Sequence, residues 1–60
     1  MIVKGIVSAI FDDGSAEVIL VELDRAVTPR IMRYGSAQSF AGEFVLVVVF
    51  SDNFADAMIL

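Results

Sequence analysis

The sequence predicts an all-β fold, and three observations carry that prediction. The seven-residue run FVLVVVF at 44–50 has no polar residue and contains four valines, which suit a pleated strand better than a helix. Asp13-Gly14 stands between two apolar runs, which is a strong signal for a β-hairpin. No segment of ten or more residues has helical periodicity. Together these features indicate one small β-barrel domain over residues 1–60.

Five short strands are predicted in order along the chain. Residues 2–11 are rich in β-branched side chains, and Gly5 among them indicates a bend, a bulge or a close backbone approach. The Asp-Gly turn at 12–15 leads into the second strand. The predicted strands are residues 2–11, 16–23, 30–34, 44–50 and 57–60. This pattern fits either an OB-like or an SH3-like five-stranded barrel.

Three further connections separate these strands. Pro29 prevents the 24–29 segment from pairing as a central strand. The 35–42 segment is polar and rich in small residues, and it reads as a loop anchored by Phe40, with a short helix there as an option. Residues 51–56 are predicted to form a turn.

The 44–50 run has two apolar faces. Its residues alternate in a strand, with Phe44, Leu46, Val48 and Phe50 on one face and Val45, Val47 and Val49 on the other. A 60-residue chain can cover one of these faces well. We therefore expect another copy of the chain, or a partner protein, to cover the second.

Size and composition also favour an oligomer. Small domains are marginally stable and usually need disulfides, a metal or oligomerisation. This chain has no Cys and no His, so disulfides and the usual zinc ligand sets are excluded. The hydrophobic fraction of 58% exceeds the roughly 45–50% usual for globular domains. A homo-oligomer is therefore expected.

The charge balance bears on the class of partner. The formal net charge is −4, from eight acidic and four basic residues, so the basic footprint typical of nucleic-acid binding is missing. The charge is compatible with an oligomeric ring whose acidic lumen lets DNA slide through without binding. The chain has no 18-residue apolar stretch and no recognisable signal peptide. We expect no membrane partner.

Catalytic and metal-binding patterns are weak. The five serines have no His to activate them, and phosphate-binding loops of the Walker or dinucleotide kind are absent. Asp12 and Asp13, with Glu17 nearby, form one acidic cluster, and 52–56 contains another. Both are interpreted as turns in which Asp or Asn side chains bind the local backbone. We therefore expect no enzyme activity, no cofactor, no metal and no small-molecule ligand.

The clustered cations are Arg25, Arg30 and Arg33. One hypothesis is a nucleic-acid face formed with Tyr34 and Phe40, because OB-folds bind single strands on aromatic platforms and basic grooves. The favoured hypothesis is ion pairing with acids of the same or an adjacent copy, for which the planar guanidinium is well suited. Those acids are Glu17, Glu22 or Glu43.

Several side chains are candidates for partner contacts, because aromatic residues, Met and Arg are enriched at interface cores. For Phe54 a core role and an interface role are equally favoured, whereas Met32 and Met58 are predicted to be core residues. The candidate interface residues are Phe40, Val45, Val47, Val49, Phe54, Arg30 and Arg33.

Three segments resemble small OB-fold structural proteins of tailed bacteriophages. Residues 5–20, with Asp13-Gly14, are similar to the opening hairpin of those barrels, and 42–47 (GEFVLV) to a later Gly-Asp-x-Val-Leu-Val strand, with Glu43 in place of the commoner Asp. Residues 50–60 resemble the closing segment, in which a Phe and a short acidic turn precede an apolar strand. These families include baseplate hub and spike-base proteins and head–tail connector or stopper proteins. No spike domain follows residue 60, which favours a connector, tail or capsid-associated component.

The resemblance implies a structural role without catalytic residues. We expect a virion component, assembled in the bacterial host cytoplasm, that contacts copies of itself and other virion proteins. Two alternatives are a single-stranded nucleic-acid-binding OB module and a small adaptor or inhibitor of a host partner.

Overall fold

The chain is all-β, as predicted, and its strands form a curled half-barrel sheet. The computed structural model describes residues 1–35 and 38–60. Six strands lie in the order β3-β2-β1-β5-β6-β4. Their bounds are β1 Ile2–Ile10, β2 Ala16–Leu20, β3 Ala26–Val27, β4 Met32–Arg33, β5 Phe44–Phe50 and β6 Asn53–Ile59.

Helices are absent from the described residues, so none there could span a membrane. The predicted option of a short helix at 35–42 falls partly on residues 36 and 37, which lie outside the described part of the chain. The described residues of that segment form turns and irregular backbone.

The segment around β4 brings the two margins of the sheet together. Ile31 forms an antiparallel bridge with Ala16 of β2, with backbone N–O distances of 2.9 Å in both directions. The next residues, in β4, pair in parallel with Met58 and Ile59 of β6. β4 and the residue before it thus contact both β6 and β2, which is how the sheet curls into a half-barrel.

The β1–β2 hairpin forms where the Asp-Gly signal predicted it. The Gly14 N–H donates to the Phe11 carbonyl (3.0 Å), and Gly14 has a φ of +88°, which glycine adopts without steric cost. The backbone N–H of Ser15 donates to Asp13 Oδ1 at 2.9 Å. The turn chemistry therefore holds the loop locally, as predicted for an Asx-type turn.

The β5–β6 connection is much shorter than the predicted 51–56 turn. Phe50 pairs with Asn53, so only Ser51 and Asp52 form the loop. Their φ values are +54° and +55°, and a type I′ hairpin turn requires positive φ at both positions. Residues 53–56, predicted as turn because of their Asn and Asp, belong to β6 because the pairs Phe50–Asn53 and Val49–Ala57 on either side of them outweigh their low strand propensity.

The second strand is shorter than the predicted 16–23. It ends at Leu20, whose carbonyl accepts a hydrogen bond from the Leu23 N–H (3.0 Å) in a turn. Asp24 and Arg25 follow with positive φ values of 54° and 59°. The chain then reverses into β3, a two-residue strand that was not predicted within the 24–29 connection.

The core occupies the concave side of the curled sheet. β1, β2 and β5 each contribute alternate residues to it, which is the period of two expected for strands. The buried apolar residues are Val3, Val7, Ala16, Val18, Leu20, Ile31, Val45, Val47, Val49 and Ile59.

A buried threonine joins the β3–β4 connection to β2. The Val18 N–H donates to Thr28 Oγ1 (3.0 Å), and the Thr28 N–H donates to the Val18 carbonyl (2.9 Å). Thr28 is only 2% exposed. The Thr28 hydroxyl therefore satisfies a backbone donor that water cannot reach.

Replacing Thr28 by Val is expected to lower the free energy of unfolding by about 1–3 kcal/mol, because it leaves the buried Val18 N–H without an acceptor. Urea unfolding monitored by circular dichroism measures the change. Thr28→Ser is the matched control, since it keeps the hydroxyl. Equal losses for both variants would contradict the role of the hydrogen bond.

Candidate protein interface

The convex side of the sheet forms a continuous apolar surface, which we call the outer face. Cross-strand partners share a face of a sheet, so the register of the strands places these residues in rows. One row runs from β3 to β5 through Val27, Ile19, Ile6 and Phe44. A second runs from β1 to β4 through Ile2, Val48, Met58 and Met32. Between them, Lys4 lies beside Leu46.

Much of this outer face is exposed to solvent. Ile2 and Phe44 are each 62% exposed, and Leu46 at the centre of the sheet is 50% exposed. Scattered apolar residues are normal on protein surfaces, whereas a contiguous patch is typical of an interaction site. The second apolar face expected from the 44–50 run therefore exists, and it extends over all six strands.

Lys4 is the sole charged residue among the ten that define the outer face. Its Nζ lies 4.9 Å from the centre of the Phe44 ring, within the range of a cation–π contact. The aliphatic stem of a lysine can lie along apolar surface while the ammonium remains hydrated. The charge therefore interrupts the apolar surface very little.

The structure corrects one part of the predicted interface. Val45, Val47 and Val49 are 6%, 0% and 2% exposed and belong to the core. The prediction that these three valines contact a partner is wrong for the folded chain, because its own strands and loops cover them. The open face of β5 is the opposite one, which contains Phe44 and Leu46.

The remaining aromatic and Met candidates divide between surface and core. Phe40 is 62% exposed in the 35–42 loop. Phe54 is half-buried and packs against the core. Met32 is 50% exposed and Met58 half-buried, both on the outer face, so the predicted core role is wrong for Met32. Its side chain is exposed because β4 lies at the margin of the sheet.

The two arginine candidates are separated. Arg33 Nη1 donates to Glu43 Oε1 at 2.9 Å, which is one of the pairings allowed by the hypothesis that the arginines pair with Glu17, Glu22 or Glu43. Arg30 instead stacks over Phe11, with its guanidinium carbon 3.6 Å from the ring centre. The cleft there is lined by Arg30 together with Asp12 and Asp13. These contacts do not join the two arginines into one basic groove.

Glu43 ties the 35–42 loop to the start of β5. It accepts hydrogen bonds from Arg33 and from the Phe40 N–H (3.2 Å). These two donors hold the pKa of Glu43 below its ordinary value of 4.5, with the Arg33 bond as the larger cause. The carboxylate is thus the acceptor that holds the loop and β4 together.

Replacing Glu43 by Gln is expected to lower stability at pH 7 and to have a smaller effect in acid. Because the folded pKa is depressed, the ionised carboxylate stabilises the fold fully above pH 4.5 and loses that contribution as the pH falls through the folded pKa. Urea midpoints of wild type and variant at pH 7 and below pH 4 measure this, with Glu22→Gln in the exposed 21–25 turn as control. A difference independent of pH would contradict the ion pair.

The acidic residues at 12–13 lie in the hairpin turn, whereas the 52–56 cluster is divided between the 51–52 turn and β6. The Ser15 N–H and hydroxyl both donate to Asp13 Oδ1, and these bonds lower the pKa of Asp13. The Ala55 N–H donates to Asn53 Oδ1 (3.0 Å). Over residues 1–35 and 38–60, no group of three or more His, Cys, Asp or Glu side chains is placed to hold a metal ion.

Comparisons with known proteins return no matching family model, no matching curated protein and no matching solved structure. The fold and the surface therefore define the chain only by class: a small all-β, barrel-like protein with an apolar outer face.

Proposed function

We propose that this chain is a structural subunit that associates with further copies of itself in a symmetric oligomer. The observation that supports this most directly is the outer face, whose apolar rows extend over all six strands and are interrupted by few charges, among them Lys4 and Glu17. Burial of apolar surface is the main driving force for most protein association. A contiguous apolar face exposed in an isolated chain would make the protein prone to aggregation.

Self-association also meets the stability problem of a short chain. A domain of about 60 residues buries only about 60% of the surface that its unfolded form exposes, so its own core stabilises it weakly. Covering the outer face would add apolar burial without lengthening the chain. Binding to the folded state alone raises stability by mass action. Folding and assembly of this protein would therefore be coupled.

A tailed-phage virion is the setting we propose for this oligomer. The resemblance of residues 5–20, 42–47 and 50–60 to small barrel proteins of phage tails and connectors supports it. The chain would be assembled in the host cytoplasm and would contact other virion proteins. Its role would be mechanical, through contacts that hold neighbouring subunits in place.

Nucleic-acid binding has less support. Arg33 is engaged by Glu43, and Arg30 lies over Phe11 in a cleft shared with two carboxylates. Both guanidinium groups thus lie near carboxylates, which would compete with a phosphate backbone for them. The exposed aromatic side chains nearby, Tyr34 and Phe40, could stack on bases only in a groove of net positive charge.

The mass of the wild-type chain in solution tests the proposal. We expect light scattering across micromolar concentrations to give a multiple of the 6.5 kDa chain mass. A folded monomer over that range would contradict self-association. Mass spectrometry of purified phage particles whose genome encodes the chain tests the virion setting, and absence from such particles would contradict it.

A further inference from the structure

The strand edges of this sheet are poorly suited to pairing with another copy. The marginal strands β3 and β4 contain two residues each. Within the described residues, β4 pairs only with the end of β6, at Met58 and Ile59, which leaves the rest of that β6 edge open. Short edges give few backbone hydrogen bonds to a neighbour.

The open part of β6 also has features that disfavour edge pairing. Its register shifts between Val49 and Phe50 of the partner strand, as at a β-bulge. The Ala55 N–H is already bonded to Asn53 Oδ1, and Asp56 is exposed. Bulges and edge charges are the devices by which natural sheets avoid edge-to-edge contact. The association surface is therefore elsewhere.

The outer face lacks such devices. The chain carries eight acidic residues and a net charge of −4, and of these Glu17, which alternates with the buried Ala16 and Val18 of β2, lies half-buried on the outer side beside Ile19. The rows between Val27 and Phe44 and between Ile2 and Met32 contain no acid, so two copies that meet there bring few acidic side chains together. A partner chosen for its charge would find Glu17 and Lys4, and Lys4 is already over the Phe44 ring. The charge distribution thus fits a second copy better than a charged partner.

The curl of the sheet determines where two outer faces could touch. Because the sheet is curled, two outer faces would meet first at the central strands β1 and β5. Leu46 and Lys4 lie side by side there.

From these observations we infer that two copies of the chain pack outer face against outer face, with Leu46 near the centre of the contact. This inference rests on the proposed function and specifies its partner and its surface. A contact between identical surfaces is isologous, so the two copies are related by a two-fold axis. The two sheets form the layers of a β-sandwich, about 10 Å apart.

Single cysteine variants test the inference, because the chain has no native cysteine. Leu46→Cys reports on the outer face, and Ala55→Cys, on the exposed part of β6, is the matched control. At a concentration where the oligomer forms, we expect a maleimide to label Leu46→Cys on the order of tenfold more slowly than Ala55→Cys, because only the dissociated fraction reacts. On dilution to the monomer the two rates should converge.

Lysine variants at the same positions give an independent readout. Leu46→Lys should shift the mass to that of a monomer while circular dichroism retains the β spectrum, and Ala55→Lys should leave the oligomer intact. If the wild type is a folded monomer, the proposed function and the inference both fail. If the wild type is oligomeric but the Leu46→Cys variant is labelled as fast as the Ala55→Cys variant, the face contact fails and self-association stands. If the Leu46→Lys variant does not fold, the labelling rates of the two cysteine variants still show whether the outer face is covered in the oligomer.

Discussion

Replacing Val47 by Lys is expected to unfold the chain. Val47 is fully buried at the centre of β5, among core residues of β1 and β6. An unpaired ammonium there would lose its hydration without gaining a partner. This mechanism should lower the free energy of unfolding by about 4–5 kcal/mol. A 60-residue domain has a total free energy of unfolding of only about 3–9 kcal/mol. Circular dichroism at 25 °C should show loss of the β spectrum.

Val48→Lys is the matched control for this prediction. Val48 is adjacent in sequence but lies half-buried on the outer face, opposite Ile2. The ammonium can reach water from that side, so the monomer should fold, and light scattering should show a smaller mass than for the wild type. A Val47→Lys variant that folds as well as Val48→Lys would contradict the assignment of the two faces.

Replacing Gly5 by Ala is expected to destabilise the fold by about 1–3 kcal/mol, because the new methyl group has no space. A Cβ at this position would overlap Val18 Cγ1 and lie 3.0 Å from the Ile19 carbonyl oxygen. The Val18 side chain can adjust, but the backbone oxygen moves only with β2. Urea unfolding at pH 7 measures the loss.

Ser8→Ala on the same strand controls for the Gly5 variant. Ser8 is exposed, so removal of its hydroxyl should change the free energy of unfolding by less than about 0.5 kcal/mol. The close approach at Gly5 would be refuted by a Gly5→Ala variant as stable as Ser8→Ala. The structure selects close backbone approach from the three interpretations of Gly5, since the irregularity in β1 lies further on, between Val7 and Ala9.

Sequence reasoning succeeded where local chemistry and tertiary packing agree. The Asp13-Gly14 turn is determined by residues next to each other in the chain, and it forms as predicted. The 44–50 strand coincides with the observed β5 because its valines favour a pleated strand. Ion pairing of the arginines with Glu17, Glu22 or Glu43 was expected, and it is found for Arg33 with Glu43.

The predictions from sequence fail where the local structure depends on residues that are distant along the chain. Residues 53–56 look like a turn, yet they belong to β6, in which Asn53 pairs with Phe50 of β5 and Ala57 pairs with Val49 beyond an irregularity. The role of Thr28 depends on its contact with Val18, ten residues away. No local signal in the sequence predicts either of these features.

The sequence by itself determined that the chain is all-β and that β5 has two apolar faces, because both follow from composition and from the period of two along a strand. It did not determine which face is buried. Tertiary structure decided that Val45, Val47 and Val49 face the core and that Phe44 and Leu46 face outward. The physical reason is register, since the direction in which the sheet curls depends on how β1, β2 and β6 align with β5 and with each other.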